Sequence, residues 1–164
     1  TILPAYKRAE VERALCKAHP YEEPAYDFYQ LTNVWSQVGA GIVGTLPEPV
    51  AETDFLKKVK QTFEVGCVMH SRQTGRLIQK VALCGGSGAF LLPNAVRANA
   101  DVFITGEVKY HDYFFYEKDI LIAAIGHYES EQYTKEIFYS ILKEMFPRLT
   151  VEMTRVNTNP IKYL

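Results

Sequence analysis

The sequence predicts an α/β fold, a largely parallel or mixed sheet with helices on both faces, with a small αβ piece ahead of it. Three observations carry this. From Leu77 onward, short apolar runs suited to strands alternate with helix-length segments, the pattern of crossover connections in a mostly parallel sheet. Three of those runs stop at glycine-bearing turns, Gly85-Gly-Ser-Gly88, Thr105-Gly-Glu107 and Gly126-His-Tyr-Glu-Ser-Glu131. Finally, 164 residues, 48% of them apolar and with no low-complexity tract, suffice for one sound core and a small appendage.

Taken in order, residues 6–18 carry Val11, Ala14, Leu15 and Ala18 at helical spacing until Pro20 stops the period. Residues 25–31 read as a strand. The glycines and turn formers of 33–44 mark a junction with a boundary near Val38, so that 1–37 and 38–164 form separate pieces. Residues 52–63 make an amphipathic helix with Phe55, Leu56, Val59 and Phe63 on one face, and 66–70 make a strand. A strand over 77–84, a helix over about 89–98, a strand over 101–105, a helix from about 107 and a strand over 119–125 follow. A helix over 132–145 and a strand over 149–156 complete the expectation.

Eighteen basic residues against nineteen acidic ones leave a net charge of −1, which offers no electrostatic footprint for nucleic acid or an anionic membrane. No apolar run approaches the ~20 residues of a spanning helix, and residues 1–8 show no signal-peptide pattern, so no membrane partner and a cytoplasmic location are expected. Cys16, Cys67 and Cys84 are odd in number, widely spaced and set in apolar segments, which predicts buried thiols rather than a disulfide framework or a zinc ribbon.

In open α/β sheets, ligands sit beyond the carboxyl ends of the strands. If the strands at 77–84, 101–105 and 119–125 are parallel neighbours, Ser87, Glu107 and His127 share one rim. His127 and Glu131 are four apart, as are Glu107 and His111. In a helix that begins just after the glycine, the members of each pair face the same way. A carboxylate in the first turn is favoured by the helix dipole in any case, so it is the repetition after two consecutive strands that points to a site. Imidazole and carboxylate without thiolate suit zinc, iron or manganese in a catalytic setting. Asp112 is a candidate to orient an imidazole from behind.

Two other chemistries compete. The order Ser87, then Asp101 or Asp112, then His127 is that of an α/β-hydrolase triad, but Ala89 stands where the nucleophile elbow wants glycine. The 85–88 turn before a helix offers amides to an anion, but lacks the Lys-Ser/Thr of a P-loop and reads equally as a tight turn. His19-Pro-Tyr-Glu-Glu-Pro-Ala-Tyr-Asp27, with two prolines in five residues, reads as a stiff connection, and His70 as a strand-end residue.

His19-Pro-Tyr-Glu-Glu-Pro-Ala-Tyr-Asp27, Val81-Ala-Leu-Cys-Gly-Gly-Ser-Gly88, Ala100-Asp-Val-Phe-Ile-Thr-Gly-Glu107, Lys109-Tyr-His111, Gly126-His-Tyr-Glu-Ser-Glu131 and Thr158-Asn-Pro-Ile161 together carry a resemblance. Over nearly its whole length the chain resembles the Nif-three-like family, whose members are often labelled GTP cyclohydrolase 1 type 2 homologues. The resemblance implies a dinuclear divalent-metal site, two ions per complete site, inside a toroidal hexamer. It implies His127 and Glu131 as the metal ligands from the family's carboxyl-terminal half, with Glu107 and His111 at site-facing positions. The family's other ligands, a histidine pair and an aspartate, come from an amino-terminal half without counterpart in this chain. Residues 1–37 resemble the end of an inserted ferredoxin-like domain, similar to the trimeric CutA and PII signalling proteins, so Thr1 is expected to fall inside a domain.

The expected function is therefore metal binding, with metal-dependent hydrolysis of a nucleotide-like or heterocyclic small molecule as the activity. Glu107 or Glu129 would move the proton, with Ser87 and His111 beside them. The alternative is a non-enzymatic oligomeric regulator or scaffold whose ferredoxin-like piece senses a ligand or partner. Phe28, Tyr113, Phe114, Phe115 and Tyr116 exceed what one small core needs and predict a homo-oligomer.

Overall fold

The computed structural model describes residues 1–33 and 38–162. The chain divides into two compact units, Thr1–Ser36 and Gln37–Leu164. Of the junction expected over 33–44, residues 34–37 lie outside the described residues.

In the first unit, a 3-10 turn at Ala5–Lys7 leads into α1 (Arg8–Ala18), none of whose residues is buried. The segment after Pro24 forms no strand. It packs on α1 through aromatic side chains, with the Arg8 guanidinium 4.5 Å over the Phe28 ring and the Tyr26 hydroxyl donating to Glu12. The strand expected at 25–31 is thus not formed. A lone segment has no ladder to join, and the described part of this unit holds no other strand.

The second unit is a five-stranded sheet in the order β1-β3-β4-β5-β2. Its strands are β1 (Ile42–Ala51), β2 (Met69–His70), β3 (Leu77–Cys84), β4 (Val102–Thr105) and β5 (Leu121–Ala124). β3, β4 and β5 are parallel, and β1 and β2 are antiparallel margins, so the sheet is mixed. Its helices are α2 (Glu52–Thr62), α3 (Leu92–Arg97), α4 (Tyr110–Tyr116), α5 (His127–Glu131) and α6 (Thr134–Met145).

The chain crosses the sheet twice in the same lateral sense, from β1 to β2 and from β3 through β4 to β5, with the strands pointing oppositely in the two passes. Right-handed crossovers then require the helices of the two passes to lie on opposite faces. They do. α2 lays Phe55, Leu56 and Val59 on Ile78, Val102, Ile104 and Leu121, whereas α3 and α4 lay Leu92, Ala95, Tyr113 and Tyr116 on Ala82, Phe103, Ile120 and Ile122. Val102, Leu121 and Ile122 are fully buried, and burial of such a side chain stabilises by roughly 1.5–3 kcal/mol.

Several expectations are corrected. β1 has no strand signature in the sequence because Pro47 and Pro49 cannot donate to a ladder. As an edge strand with a register shift between Thr45 and Val50, β1 carries both prolines where pairing is interrupted. Residues 149–156 form no strand, and Leu149 lies in a bend. The helix expected at 89–98 opens as a 3-10 turn, Gly88–Leu91, before α3. Cys84 is buried, but Cys16 and Cys67 are exposed, one on a helix that buries nothing and the other in the connection between α2 and β2. Tyr113 and Tyr116 pack on the core, leaving Tyr110, Phe114 and Phe115 as the exposed aromatics of α4.

Asp101 begins the β4 segment at the rim opposite the strand ends. Its Oδ2 accepts the successive amides of Gln79 and Lys80 at 2.9 and 2.7 Å. Two neighbouring amides aimed at one oxygen break the pleat, and Ile78 and Val81, three apart, consequently face the same core.

Candidate metal-side site

The parallel register sets the carboxyl ends level, with Cys84 beside Thr105 and Thr105 beside Ala124. The turns beyond them are then joined by main-chain and hydroxyl bonds. The amides of Gly106 and Glu107 both donate to the Gly86 carbonyl, at 2.9 and 3.1 Å, and the Gly126 amide donates to the Gly106 carbonyl at 3.0 Å. Ser130 Oγ accepts from the Gly86 amide and donates to the His127 carbonyl, each at 2.8 Å. Thr105 Oγ1 accepts from the Gly88 amide at 3.0 Å and donates to the Gly86 carbonyl at 3.2 Å.

Gly126, at φ 99°, turns the chain out of β5 so that α5 begins at His127. His127 and Glu131 fall on one face of α5, with Nε2 and Oε2 3.3 Å apart. On the other edge of the imidazole, Nδ1 lies 3.1 Å from Glu107 Oε1, and Ser87 Oγ donates to Glu107 Oε2 at 2.6 Å. The rim thus brings Ser87, Glu107, His127 and Glu131 into one chain of contacts. Gly86 lies beneath them at φ 61°. A Cβ there would collide with Glu131 Oε1 and stand 3.2 Å from His127 Nε2.

Ser87 is the main reason that the Glu107 carboxyl sits below the ordinary glutamate value. Partial burial opposes this, and His127 adds to it. Burial pushes the Cys84 thiol up, with the Glu131 charge helping, which makes this cysteine a poor nucleophile.

The donor set fits one side of a metal site. Two ligands of a tetrahedral ion at ~2.0–2.1 Å lie about 3.3 Å apart, the separation of His127 Nε2 from Glu131 Oε2. Among the described residues, no group of three or more His, Cys, Asp or Glu side chains is arranged to hold a metal ion. A groove of about 560 Å³ adjoins the pair, lined by Glu107, His127 and Glu131 together with Val156, Pro160 and Ile161.

Glu129, between the two ligand candidates, is buried and does not line the groove. Its Oε1 accepts from Asn159 Nδ2 at 2.9 Å. His111 does not join the site. α4 starts only at Tyr110 because Glu107 is pinned to Gly86 and Lys109 is extended, so Glu107 and His111 share no helix face. His111 is exposed, edge-on to the Tyr110 ring. Neither triad aspartate serves: Asp101 is engaged at the far rim, and Asp112 bonds no imidazole among the described residues. Two amides of the 85–88 turn are taken by Ser130 and Thr105, so that turn is not an open anion cradle. Sequence reasoning missed Ser130 and Asn159, although both lie inside motifs with metal-site spacing or family resemblance.

The chain matches the family model Duf34/NIF3 (NGG1p interacting factor 3) over residues 6–160. It is 35% identical to a GTP cyclohydrolase 1 type 2 homolog of Halalkalibacterium halodurans, covering 100% of this chain and 45% of that protein. It is 30% identical to one from Staphylococcus aureus strain COL, covering 99% and 45%. The chain therefore spans less than half the length of these curated relatives. Among solved structures it superposes on Staphylococcus aureus protein SA1388 with a TM-score of 0.78 at 26% identity, covering 100% of this chain and 54% of that one. It also superposes on a Bacillus cereus protein related to NIF3, with a TM-score of 0.70 at 28% identity, covering 99% and 46%.

Proposed function

This chain belongs to the Duf34/NIF3 family, and from that membership we propose that it supplies the carboxyl-terminal side of a divalent-metal centre in a hydrolase acting on a nucleotide-like or heterocyclic small molecule. The observation that carries the reading is the His127–Glu131 pair, 3.3 Å apart on one helix face above a glycine that leaves the space clear. His127 through Nε2 and Glu131 through Oε2 would hold zinc, iron or manganese. The remaining ligands, and the second ion of a complete site, would belong to parts of the full-length family protein that this chain does not span. Such an ion lowers the pKa of a bound water toward about 7 and polarises the bond to be cleaved.

The chain's own residues have separable roles. Glu107, held ionised by Ser87, would accept a hydrogen bond from Nδ1–H of His127 and so leave the Nε2 lone pair to a ligand. Its carboxylate borders the groove and is the proposed base for a substrate proton. On the same reading, 1–37 are the end of an inserted ferredoxin-like domain and 38–164 the carboxyl-terminal α/β domain, in a cytoplasmic homo-oligomer of hexameric form. No helix among the described residues is long and apolar enough to cross a membrane.

Elemental analysis after dialysis tests the proposal. This chain should retain at most one weakly held zinc or manganese ion, lost in His127→Ala, with little hydrolase activity. Two tightly held ions per chain would overturn the division of ligands, and no metal at millimolar supply would overturn the site. A second reading, a non-enzymatic oligomeric regulator, is favoured by the exposed apolar face of α6, where Ile137, Ile141 and Met145 stand at helical spacing.

A further inference from the structure

Resting on the groove proposed above, we infer that Asn159 is a positioning residue: held by the buried carboxylate of Glu129, it fixes residues 154–161 as the wall against which the substrate must fit. Glu129 is only 9% exposed, although its neighbours His127 and Glu131 are about half exposed. Burying a carboxylate is costly unless it is hydrogen-bonded. The Asn159 amide supplies that bond to Oε1, a charge-assisted contact of the stronger kind. Oε2 is buried and takes no bond among the described residues, so the Asn159 contact carries unusual weight.

The same side chain organises its own segment. Asn159 Oδ1 accepts the backbone amide of Ile161 at 3.0 Å, while the backbone amide of Asn159 itself donates to Asn157 Oδ1 at 2.8 Å. No helix or strand runs through 151–161, so no ladder holds these residues in place. Their position depends on side-chain contacts, and Asn159 joins them to α5 itself. Pro160 stiffens the next peptide and restricts Asn159 to extended backbone. Because Glu129 does not line the groove, its role through Asn159 is placement of the wall rather than contact with a ligand. The 154–161 segment contributes Val156, Pro160 and Ile161 to a groove also lined by two carboxylates and an imidazole. That arrangement suits the flat apolar face of a heterocycle on the wall side, with its polar, reacting edge toward α5.

A polarity swap tests this. Asn159→Asp keeps the size of the side chain and its acceptor for Ile161, but sets a carboxylate against Glu129. Glu129→Gln combined with Asn159→Asp restores one donor and one acceptor with their sense reversed. The measurements are amide hydrogen exchange across 154–161, zinc binding, and binding of GTP as a heterocyclic probe. Asn159→Asp should speed exchange at Ile161 roughly tenfold and weaken GTP by a similar factor, while zinc affinity changes by less than about twofold. The double variant should recover both exchange and GTP binding. Unchanged exchange in Asn159→Asp, or faster exchange that the double variant does not restore, overturns the proposal. Loss of zinc together with GTP overturns it too, since α5 rather than the wall would have moved. If the unaltered chain binds zinc but no GTP, the substrate class proposed above fails, and exchange with its recovery still decides the role of Asn159.

Discussion

Glu107 is the residue whose ionisation the rim controls most directly, because Ser87 donates to one of its oxygens and His127 faces the other. Its folded value lies below that of an ordinary glutamate, about 4.3. The contribution of these contacts is therefore present above pH ~4.3 and is lost as pH falls through the lower folded value. Glu107 is about half exposed, so screening leaves the effect small for the fold and larger for the site. Ser87→Ala should return the Glu107 titration toward the ordinary value, read from its carboxyl carbon by NMR. An unmoved midpoint would show that the hydroxyl is not the cause. The two rim glycines should respond differently to alanine. At Gly86 the added Cβ strikes the free end of Glu131, which can swing away. Gly86→Ala therefore costs about 1–2 kcal/mol for the left-handed backbone and disables zinc binding. At Gly106 it meets the Gly86 carbonyl at 2.6 Å and His127 Cα at 2.9 Å, backbone that cannot swing. Gly106→Ala should fall at the upper end of about 1–3 kcal/mol or beyond, and chemical denaturation showing the reverse order would refute this account.

At the level of elements, the central strands were legible because β4 and β5 are buried on both faces and read as unbroken apolar runs. The start of α5 was legible as well, since Gly126 followed by His127 marks the exit from β5. β1 was hidden by two prolines whose tolerance depends on an edge position, and edge position is a property of the sheet, not of the segment. The late start of α4 was hidden for a similar reason. Glu107 has a reasonable helical sequence after it, but its amide is already committed to Gly86, a partner twenty-one residues upstream. Spacing could nominate His127, Glu131, Glu107 and Ser87, yet it could not reveal Ser130, whose significance lies in bonding two different elements. Ser130→Ala should leave the buried Gly86 amide unpaired and destabilise the second unit by about 1–3 kcal/mol. A melting temperature equal to that of the unaltered chain would show that another acceptor takes over.

For the whole molecule, opposite strand directions in two passes explain why helices cover both faces, and the order of motifs along the chain carries the family resemblance by itself. What no local pattern disclosed was which large apolar residues would remain outside. Phe114 and Phe115 on α4, and Ile137, Phe138, Ile141 and Met145 on α6, stay exposed. Surfaces of this kind usually mark contacts, so light scattering at micromolar concentration should give a mass above the 18.7 kDa of one chain. A monomer mass there would count against assembly through these faces. The rim adds a thermodynamic signature. Its turns are joined to one another by main-chain amides and by Ser130 and Thr105, with no reliance on whatever binds at α5. The backbone freedom of the turns that carry the ligating residues has thus largely been surrendered when the sheet forms. Titration calorimetry of a divalent ion at α5 should accordingly show release of hydration water as the dominant entropy, with little change in heat capacity of the kind that ordering a loose loop would produce.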